Sequence, residues 1–301
     1  MYQSPITLEA LLVLDAIDRR GSFAAAAEQL GKVPSALSYI VQKLEEQLAV
    51  TLFVRQGRRS ILTPAGRHLL TEGRKVLGAV SKIAEQTQTL AHGFEPKIRI
   101  AYDSILDTGP LYQVLKQFLS EHADVEIDLR EEVMSGGWEA LIDDQVELLL
   151  GAPGPVPSQQ GLRAIQLTSI KIVLVAAKNH ELTQFNRPVT QADLKRFRSI
   201  IVHDSAKLAV PRSSNIIAQS KHFYVTRVSE KIKAIKAGLG IGFLAYDRVE
   251  NALKKGDLVQ IDVADAIDSS DLYIAWKTTN RGKGLQRLRS LFNEHYLQMH
   301  R

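Results

Sequence analysis

Residues 24–48, AAAAEQLGKVPSALSYIVQKLEEQL, contain two helical stretches separated by a short break. The break runs from Gly31 to Pro34, residue types that end one helix and begin the next. Apolar residues in the second stretch recur at helical spacing, which predicts one buried stripe: Leu37, Ile40, Val41, Leu44 and Leu48. Its opposite face carries small polar residues and a tyrosine instead of the usual Lys and Glu. Taken alone, such a face is more typical of a solvated helix than of a binding surface, so its role depends on the segments that flank it.

The flanking segments extend this unit on both sides. A helical pattern from Leu8 to Arg19 precedes it; Gly21 ends that helix and Ser22 is a good N-cap for the next. After it, VTLFVRQGRRSILT has β-rich arms around a Gln-Gly turn, which predicts a hairpin. Three helices followed by a basic hairpin predict a winged helix-turn-helix over residues 1–63.

Residues 64–92 have the pattern of one long helix that begins at Pro64. Four apolar residues recur every seven positions: Leu69, Val76, Ile83 and Leu90. This spacing predicts a linker helix that pairs with a second chain. The alternative is packing against the chain's own core, and Gly73 and Thr87 interrupt the stripe, so any coiled coil here is weak.

From residue 93 onward the pattern changes to strands that alternate with helices. Nine segments have strand character: KIRIAYDS, VEIDLR, VELLLGA, IKIVLVAA, SIIVHD, FYVTRV, IGFLAY, DLVQIDV and DLYIAW. Helical stretches such as PLYQVLKQFLSEH separate many of them. Alternation of this kind predicts an α/β fold with open sheets, and the segment is long enough for two lobes.

Charge and composition favour a polyanionic partner and exclude several chemistries. The net charge is +5, of which residues 1–92 hold +3 and residues 93–301 hold +2. The absence of cysteine excludes disulfides, thiolate metal sites and cysteine nucleophiles, and fits a reducing cytoplasm. The sequence has no apolar run of about 18 residues, so we expect no membrane partner. Its apolar start lacks the basic region of a signal peptide.

No catalytic or cofactor motif stands out. GLGIG, from Gly238 to Gly242, follows a helix and enters a strand, the reverse of a dinucleotide fingerprint. His203, Asp204 and Ser205 are sequence neighbours at a strand end, so their side chains point in different directions, and no G-x-S-x-G motif accompanies them. We therefore expect neither enzymatic activity nor a cofactor or metal.

The N-terminal segment resembles the DNA-binding domain of the LysR-type transcriptional regulators. The matching signature is GSFAAAAEQLGKVPSALSYIVQKLEEQLAVTLFVRQGRRSILTPAGRHLL, residues 21–70. Its main elements are Gly21-Ser22-Phe23, Ala26-Ala27, Leu37-Ser38, Lys43-Leu44-Glu45, Leu52-Phe53, Arg55, Leu62-Thr63 and Ala65-Gly66. The dense match covers residues 7–68; beyond them the likeness is in length and element order. The run DAIDRRGSFAAAA is most similar to the YhaJ-like branch.

This resemblance implies a fold, a domain division and partners. It implies a two-lobed, periplasmic-binding-protein-like effector domain over residues 93–301, with lobe I near 93–167 plus 265–301 and lobe II near 168–264. It also implies a dimer that assembles to a homotetramer on double-stranded promoter DNA. RNA polymerase is the expected protein partner. The effector is a small molecule, with an aromatic or carboxylate-bearing metabolite as the family-level expectation.

The predicted DNA-binding residues lie at the start of the second helix and around the hairpin. They are Ser22, Pro34, Ser35, Ser38, Tyr39, Gln42, Lys43, Arg55, Arg58 and Arg59. Small polar side chains let a helix approach base edges, and guanidinium groups suit phosphates. The alternatives are a solvated helix face and a solubilising turn; the signature favours DNA.

Three positions differ from the family pattern. Val33 replaces the usual Ser or Thr N-cap and cannot accept a hydrogen bond from the first-turn amides. Tyr39 stands where Arg is common, so the base preference should differ. Tyr246 replaces the usual Pro of the late cleft rim.

The predicted effector contacts follow strands, where open sheets bind ligands. They are Asp103, Ser104, Ser135, Trp138, His203 and Phe243. The alternatives are N-cap or turn roles for the polar residues and a core role for Trp138. A rival class is an α/β small-molecule binding or transforming protein whose N-terminal helices serve assembly. Such a protein would not need a basic wing. A second rival, a constitutive architectural DNA binder, would not need two α/β lobes.

Overall fold

A computed structural model describes residues 4–56, 59–209, 217, 219–264 and 269–299. The chain forms two compact units, residues 1–87 and 88–301. Within the described residues, no helix has both the length and the apolar character needed to cross a bilayer.

The first unit holds the predicted helices and hairpin. Its elements are α1 (Leu8–Arg20), α2 (Phe23–Leu30), α3 (Pro34–Leu48), β1 (Phe53–Gln56), β2 (Arg59–Leu62) and α4 (Pro64–His92), the last of which continues into the second unit. Gly21 and Gly31 end α1 and α2 in the left-handed conformation, with φ of 72° and 61°. β1 and β2 pair antiparallel. The predicted winged helix-turn-helix is confirmed.

The core of this unit lies between α1, α2, α3 and the start of α4. Leu11 and Leu14 of α1, Leu37 and Leu44 of α3, and Leu70 of α4 are fully buried in one cluster. Burial of these side chains is the main force that holds the three short helices together.

α4 packs on α1 at Gly73, where α4 has no side chain and Leu11 of α1 fills the space. Gly73 faces Leu11 so closely that a Cβ there would meet the leucine side chain. Arg74 of α4 donates to Asp15 and Asp18 of α1 at 2.7 and 2.8 Å. The interruption at Gly73 therefore marks a helix contact within the chain.

Gly66 is required for the close contact between α4 and Leu52, the residue just before the first strand of the wing. A Cβ at Gly66 would overlap the carbonyl oxygen of Leu52, whereas one at Gly78, on the same helix, would meet nothing. We expect Gly66→Ala to lower the free energy of unfolding by about 2 kcal/mol, because the backbone must shift. Gly78→Ala should instead raise it by up to about 1 kcal/mol through helix propensity. Urea denaturation compares the two; equal midpoints would contradict this packing.

The second unit is α/β, as predicted. Its strands are β3 (Lys97–Asp103), β4 (Glu126–Glu132), β5 (Leu148–Pro153), β6 (Leu162–Ala177), β7 (Ser199–Val202), β8 (His222–Val225), β9 (Gly242–Ala245), β10 (Leu258–Ile261) and β11 (Ser269–Lys277). Its helices are α5 (Thr108–Glu121), α6 (Ser135–Ile142), α7 (Gln191–Leu194), α8 (Val228–Lys236), α9 (Tyr246–Lys254) and α10 (Lys283–Met299), with a 3-10 turn at Glu181–Gln184.

One long strand, β6, runs through both lobes. Its first part, from residue 162 to 171, pairs antiparallel with β11, which also pairs with β5; β3 lies between β5 and β4 and is parallel to both. Its last part, from residue 172 to 177, pairs antiparallel with β9 and with β10. β7 and β8 pair parallel, and a bridge from Ser199 to Ile241 places β7 beside the start of β9. The predicted two-lobed architecture is thus confirmed.

Candidate nucleic-acid interface and ligand cavity

α3 has one buried face and one polar, exposed face. Leu37, Val41 and Leu44 are buried, whereas the side chain of Tyr39 is 65% exposed. The remaining polar residues predicted to bind DNA from this helix are also exposed: Ser35, Ser38, Gln42 and Lys43. The face of α3 that is predicted to bind DNA is therefore not covered by the rest of its own unit.

The start of α3 has the predicted departure from ordinary capping. Val33 is the N-cap, in extended conformation, and makes no side-chain hydrogen bond to the first turn; Pro34 follows at the first helical positions. Ser38 Oγ instead donates back to the Pro34 carbonyl oxygen at 3.0 Å. The first-turn amides of α3 consequently receive no side-chain cap from Val33 and point toward the exposed end of the helix.

Ser22 and the wing lie beside this face. Ser22 caps α2 by accepting a hydrogen bond from the Ala25 amide. Glu45 of α3 accepts hydrogen bonds from the Leu52 and Phe53 amides and so fixes the wing to the helix. Arg55 projects from β1 and is exposed.

A surface groove of about 550 Å³ joins these parts. Five of the predicted DNA-binding residues line it: Ser22, Pro34, Ser38, Gln42 and Arg55. Ser35, Tyr39, Lys43 and Arg59 are exposed but are not part of its lining. Arg58 lies outside the described residues. A concave, polar surface with an arginine on one wall can hold a phosphate backbone while base edges face the helix.

The exposed side of α4 carries the apolar stripe. Val76, Ile83 and Leu90 are 47, 62 and 88% exposed, whereas Leu69 is half-buried against the core of its own unit. The alternative that the sequence left open, packing within the chain, therefore holds for Leu69 only.

In the second unit, a cavity of about 150 Å³ lies among β3, β7, β9 and the helices α8 and α9. Three of the predicted effector contacts line it: Asp103, Ser104 and Phe243. Most of its wall is apolar and includes Ile172, Ile200, Val202, Val228 and Leu244. A small pocket with an apolar wall and few polar groups is typical of a small-molecule site.

Asp103 is the acidic group of this cavity. It is buried and accepts hydrogen bonds from the Ile105 and Met134 amides at 2.9 and 2.7 Å. Burial raises the pKa of the Asp103 carboxyl to about 7, and the neighbouring Asp204 and Glu131 act in the same direction, against the two amides. Near neutral pH, Asp103 is therefore close to the point at which its proton is half bound.

Two cations of the cavity, Lys231 and Arg248, were not predicted from the sequence. Lys231 lies on α8, three residues after the buried Val228 and four before the buried Ile235. That spacing is the signal that places it on the buried face. Arg248 of α9 donates to the Leu106 carbonyl oxygen at 3.2 Å and so links the two lobes across the cavity.

The N-terminus of α6 is occupied by the chain itself. Asp204 accepts hydrogen bonds from the Ser135 and Gly136 amides, both at 3.2 Å. Ser205 Oγ donates to Glu132 at 2.6 Å. The two Asp204 hydrogen bonds use the amides at which an anion would otherwise bind the N-terminus of this helix.

The other three predicted effector contacts lie outside the cavity lining. The Ser135 hydroxyl is buried and has no hydrogen-bond partner among the described residues. Trp138 is 2% exposed, packs in the core and donates to the Pro153 carbonyl oxygen at 3.0 Å. His203 is exposed and stacks on Tyr224, with ring centroids 4.8 Å apart.

Comparison with known proteins identifies both units. Residues 8–67 match the family described as "Bacterial regulatory helix-turn-helix protein, lysR family", and residues 91–296 match "LysR substrate binding domain". The "Probable HTH-type transcriptional regulator YhaJ" of Escherichia coli (strain K12) is 34% identical over 292 residues, covering 96% of this chain and 97% of that protein. The "HTH-type transcriptional regulator PunR" of the same strain is 32% identical over 276 residues, covering 92% and 89%. The fold is similar to that of CbnR in its complex with target DNA, with a TM-score of 0.67 at 16% identity, covering 96% of this chain and 100% of CbnR.

Proposed function

The chain belongs to the LysR family of transcriptional regulators, and from this premise we propose that it recognises double-stranded promoter DNA through the polar face of α3 and the wing. The observation that carries the proposal is the groove, in which the α2 cap, the exposed side of α3 and Arg55 meet. The N-terminal residues of a recognition helix contact base edges in the major groove. The wing arginines, Arg55 and Arg59, then bind phosphates or the adjacent minor groove.

Tyr39 sets the base preference in this proposal. Its hydroxyl supplies one hydrogen bond and its ring contacts a thymine methyl group, whereas an arginine would bind guanine through two hydrogen bonds. Arg55 holds the backbone and carries no sequence information directly. Substitution of Tyr39 should therefore change the base preference, whereas substitution of Arg55 should change the affinity for all DNA sequences.

We expect Arg55→Ala to weaken binding to all DNA sequences by about the same factor and to reduce the salt slope by about one. Tyr39→Ala should change which base is preferred at one position of each half-site and leave the salt slope nearly unchanged. Fluorescence anisotropy with the operator and with single-base variants, at several salt concentrations, measures both.

Arg196→Ala is the matched control, because Arg196 is an exposed arginine of the second unit that pairs with Glu181. It should behave as the wild type. If the Tyr39→Ala/Arg55→Ala double variant binds the operator as tightly as the wild type, the proposed interface is wrong.

We propose that the effector binds in the cavity between the lobes and contacts Asp103, Ser104 and Phe243. All three line that cavity, and Arg248 connects the lobes at its edge, so a bound molecule would alter how the lobes meet. The effector is bound and released unchanged, in keeping with a family of regulators and not of enzymes.

The remaining parts of the proposal concern assembly and partners. The exposed stripe on α4 pairs two chains, and the effector lobes join two dimers into a homotetramer that reads two half-sites. Bound at a promoter in the cytoplasm, this assembly acts on RNA polymerase. Support comes from the exposure of Val76, Ile83 and Leu90 on α4, which are 47, 62 and 88% exposed.

A further inference from the structure

Gln42 and Glu46 form a side-chain pair one turn apart on the exposed face of α3. Gln42 Nε2 donates to Glu46 Oε1 at 2.9 Å, and both residues are exposed. The direction of this bond is not in question, because a carboxylate can only accept a hydrogen bond and only the nitrogen of the amide can donate one. No described residue donates to Gln42 Oε1. The pair therefore leaves the oxygen as the free end of the amide.

Glu46 lies where a carboxylate is unfavourable for the helix itself. It is in the last turn of α3, which holds no basic residue, and the C-terminal end of a helix dipole repels negative charge. The phosphates of DNA bound to this helix would repel it as well. Its one side-chain hydrogen bond within the described residues is the bond from Gln42. Stability gives no reason for a carboxylate at this position, whereas the orientation of Gln42 does.

The neighbouring Glu45 has a different task. It accepts hydrogen bonds from the Leu52 and Phe53 amides and so holds the wing. Gln42 and Glu45 both line the surface groove, whereas Glu46 is not part of its lining. Glu46 therefore acts on the groove only through Gln42.

An amide held in this way recognises fewer bases than a free one. A free glutamine binds adenine with both ends, since its oxygen accepts from N6 and its nitrogen donates to N7. When the nitrogen is bound to Glu46, only the acceptor remains, and it can pair with the amino group of adenine or cytosine. Guanine and thymine present a carbonyl oxygen instead, which the Gln42 oxygen would repel. An exposed pair at this spacing is weak in water, but it strengthens where DNA excludes water.

We propose that Glu46 is a positioning residue that makes Gln42 a hydrogen-bond acceptor in the major groove, so that Gln42 selects adenine or cytosine at one position of each half-site. The inference rests on the proposed DNA-binding function and adds a base class to it. Affinity for the DNA backbone stays with Arg55, so the pair affects base preference more than the strength of binding.

The test uses the full-length protein and duplex DNA that the wild type selects from a random pool. Fluorescence anisotropy with each single transition in the selected site measures the preference, because a transition exchanges an amino group for a carbonyl group on the same strand. At the position where Gln42→Ala has an effect, the wild type should prefer adenine over guanine, or cytosine over thymine, by about threefold to tenfold. Gln42→Ala should reduce this preference below about twofold. If the preferred base is adenine, 7-deazaadenine should bind as tightly, because N7 is not used.

Glu46→Lys tests the role of Glu46 directly. An ammonium group only donates, so it would bind the Gln42 oxygen and leave the nitrogen for the groove; the preference should fall below about twofold or reverse to guanine or thymine. Lysine also suits the last turn of a helix, so the variant should fold. Glu28→Lys is the matched control, since it makes the same charge change at an exposed position of α2, and it should keep the wild-type preference.

Three results would overturn the inference and leave the proposed interface standing: a wild-type preference for guanine or thymine at this position, a loss of affinity with 7-deazaadenine, or a preference in Glu46→Lys equal to that of the wild type. If Gln42→Ala changes the preference at no position, Gln42 contacts no base and the inference is likewise wrong. Selection of no sequence from the pool would instead overturn the proposed DNA-binding function, and this inference with it.

Discussion

Replacement of Val76 and Ile83 by aspartate is expected to weaken specific operator binding by about 100-fold or more, while every predicted DNA-contacting residue remains in place. Both side chains are exposed on α4, and neither packs against the core of its own unit. If they form the seam between two chains, the substitutions would bury four carboxylates at that seam, at a cost of several kcal/mol.

The effect on DNA binding follows from effective concentration. A single winged helix makes a small interface, whereas two linked ones gain affinity by about 100-fold or more without a new contact. Loss of the dimer should therefore lower operator affinity by about that factor. Light scattering gives the mass of the assembly, and anisotropy gives the affinity.

Ser81→Asp/Gln88→Asp is the control for charge. Both residues are exposed, and each lies five positions after one of the apolar pair, on a different side of α4. This variant adds the same two charges and should keep the wild-type mass and affinity. A Val76→Asp/Ile83→Asp protein that retains both would show that the stripe is not the seam.

The N-terminal unit could be predicted almost completely because its determinants are local. The buried stripe of α3, the glycines that end α1 and α2, and the hairpin arms are all encoded within a few residues of where they act. Leu37, Val41 and Leu44 are buried as their spacing indicates, and Ile40 and Leu48 pack at the edge of the same core. The resemblance to the LysR family is confirmed by the comparisons, and the 34% identity to YhaJ supports the branch that the run DAIDRRGSFAAAA indicates.

The second unit shows where local patterns are insufficient. All nine strands form, but β6 begins at Leu162, well before the apolar run that predicted it. Its first part is polar and irregular in pattern, and it is a strand because β11 pairs along its whole length. Pairing between residues about 100 positions apart is tertiary information.

Only part of the ligand cavity could be predicted, because its lining also depends on contacts between distant parts of the chain. Asp103, Ser104 and Phe243 end up together because the ends of β3 and β9 face one cavity. Ser135 and His203 follow strands in the same manner, yet Asp204 reaches the α6 N-terminus and its neighbours take other positions. Nothing in the local sequence separates Lys231 from the other lysines of α8 except its spacing of three residues from the buried Val228.

Lys231→Met is expected to stabilise the protein in the absence of ligand at pH 7, by up to about 3 kcal/mol. The ordinary pKa of lysine is 10.5, and burial lowers that of Lys231 to about 8 in the folded chain. A difference of this size between the unfolded and folded states corresponds to at most about 3 kcal/mol, and the partial exposure of Lys231 to solvent lowers this value. Methionine has a similar length, carries no charge and suits the apolar wall of the cavity.

The pH dependence of the stability difference between Lys231→Met and the wild type shows whether removal of the charge or better packing of methionine is its cause. Below pH 8 the amine is protonated in both states, so the folded wild type carries the full cost of the buried charge. Between pH 8 and 10.5 the unfolded state binds more protons than the folded state, so the stability of the wild type rises relative to that of the variant. The other ionisable groups that line the cavity are Arg248 and Asp103, and the pKa of Asp103, about 7, lies below this window.

Urea denaturation of both proteins at pH 7, 8.5 and 10 measures the difference directly. The advantage of Lys231→Met should shrink steadily across these values, while Lys233→Met should differ little from the wild type at each of them, because Lys233 is exposed and pairs only with Glu230. An advantage that stays constant with pH would mean that methionine simply packs better and that the charge of Lys231 is not the cost.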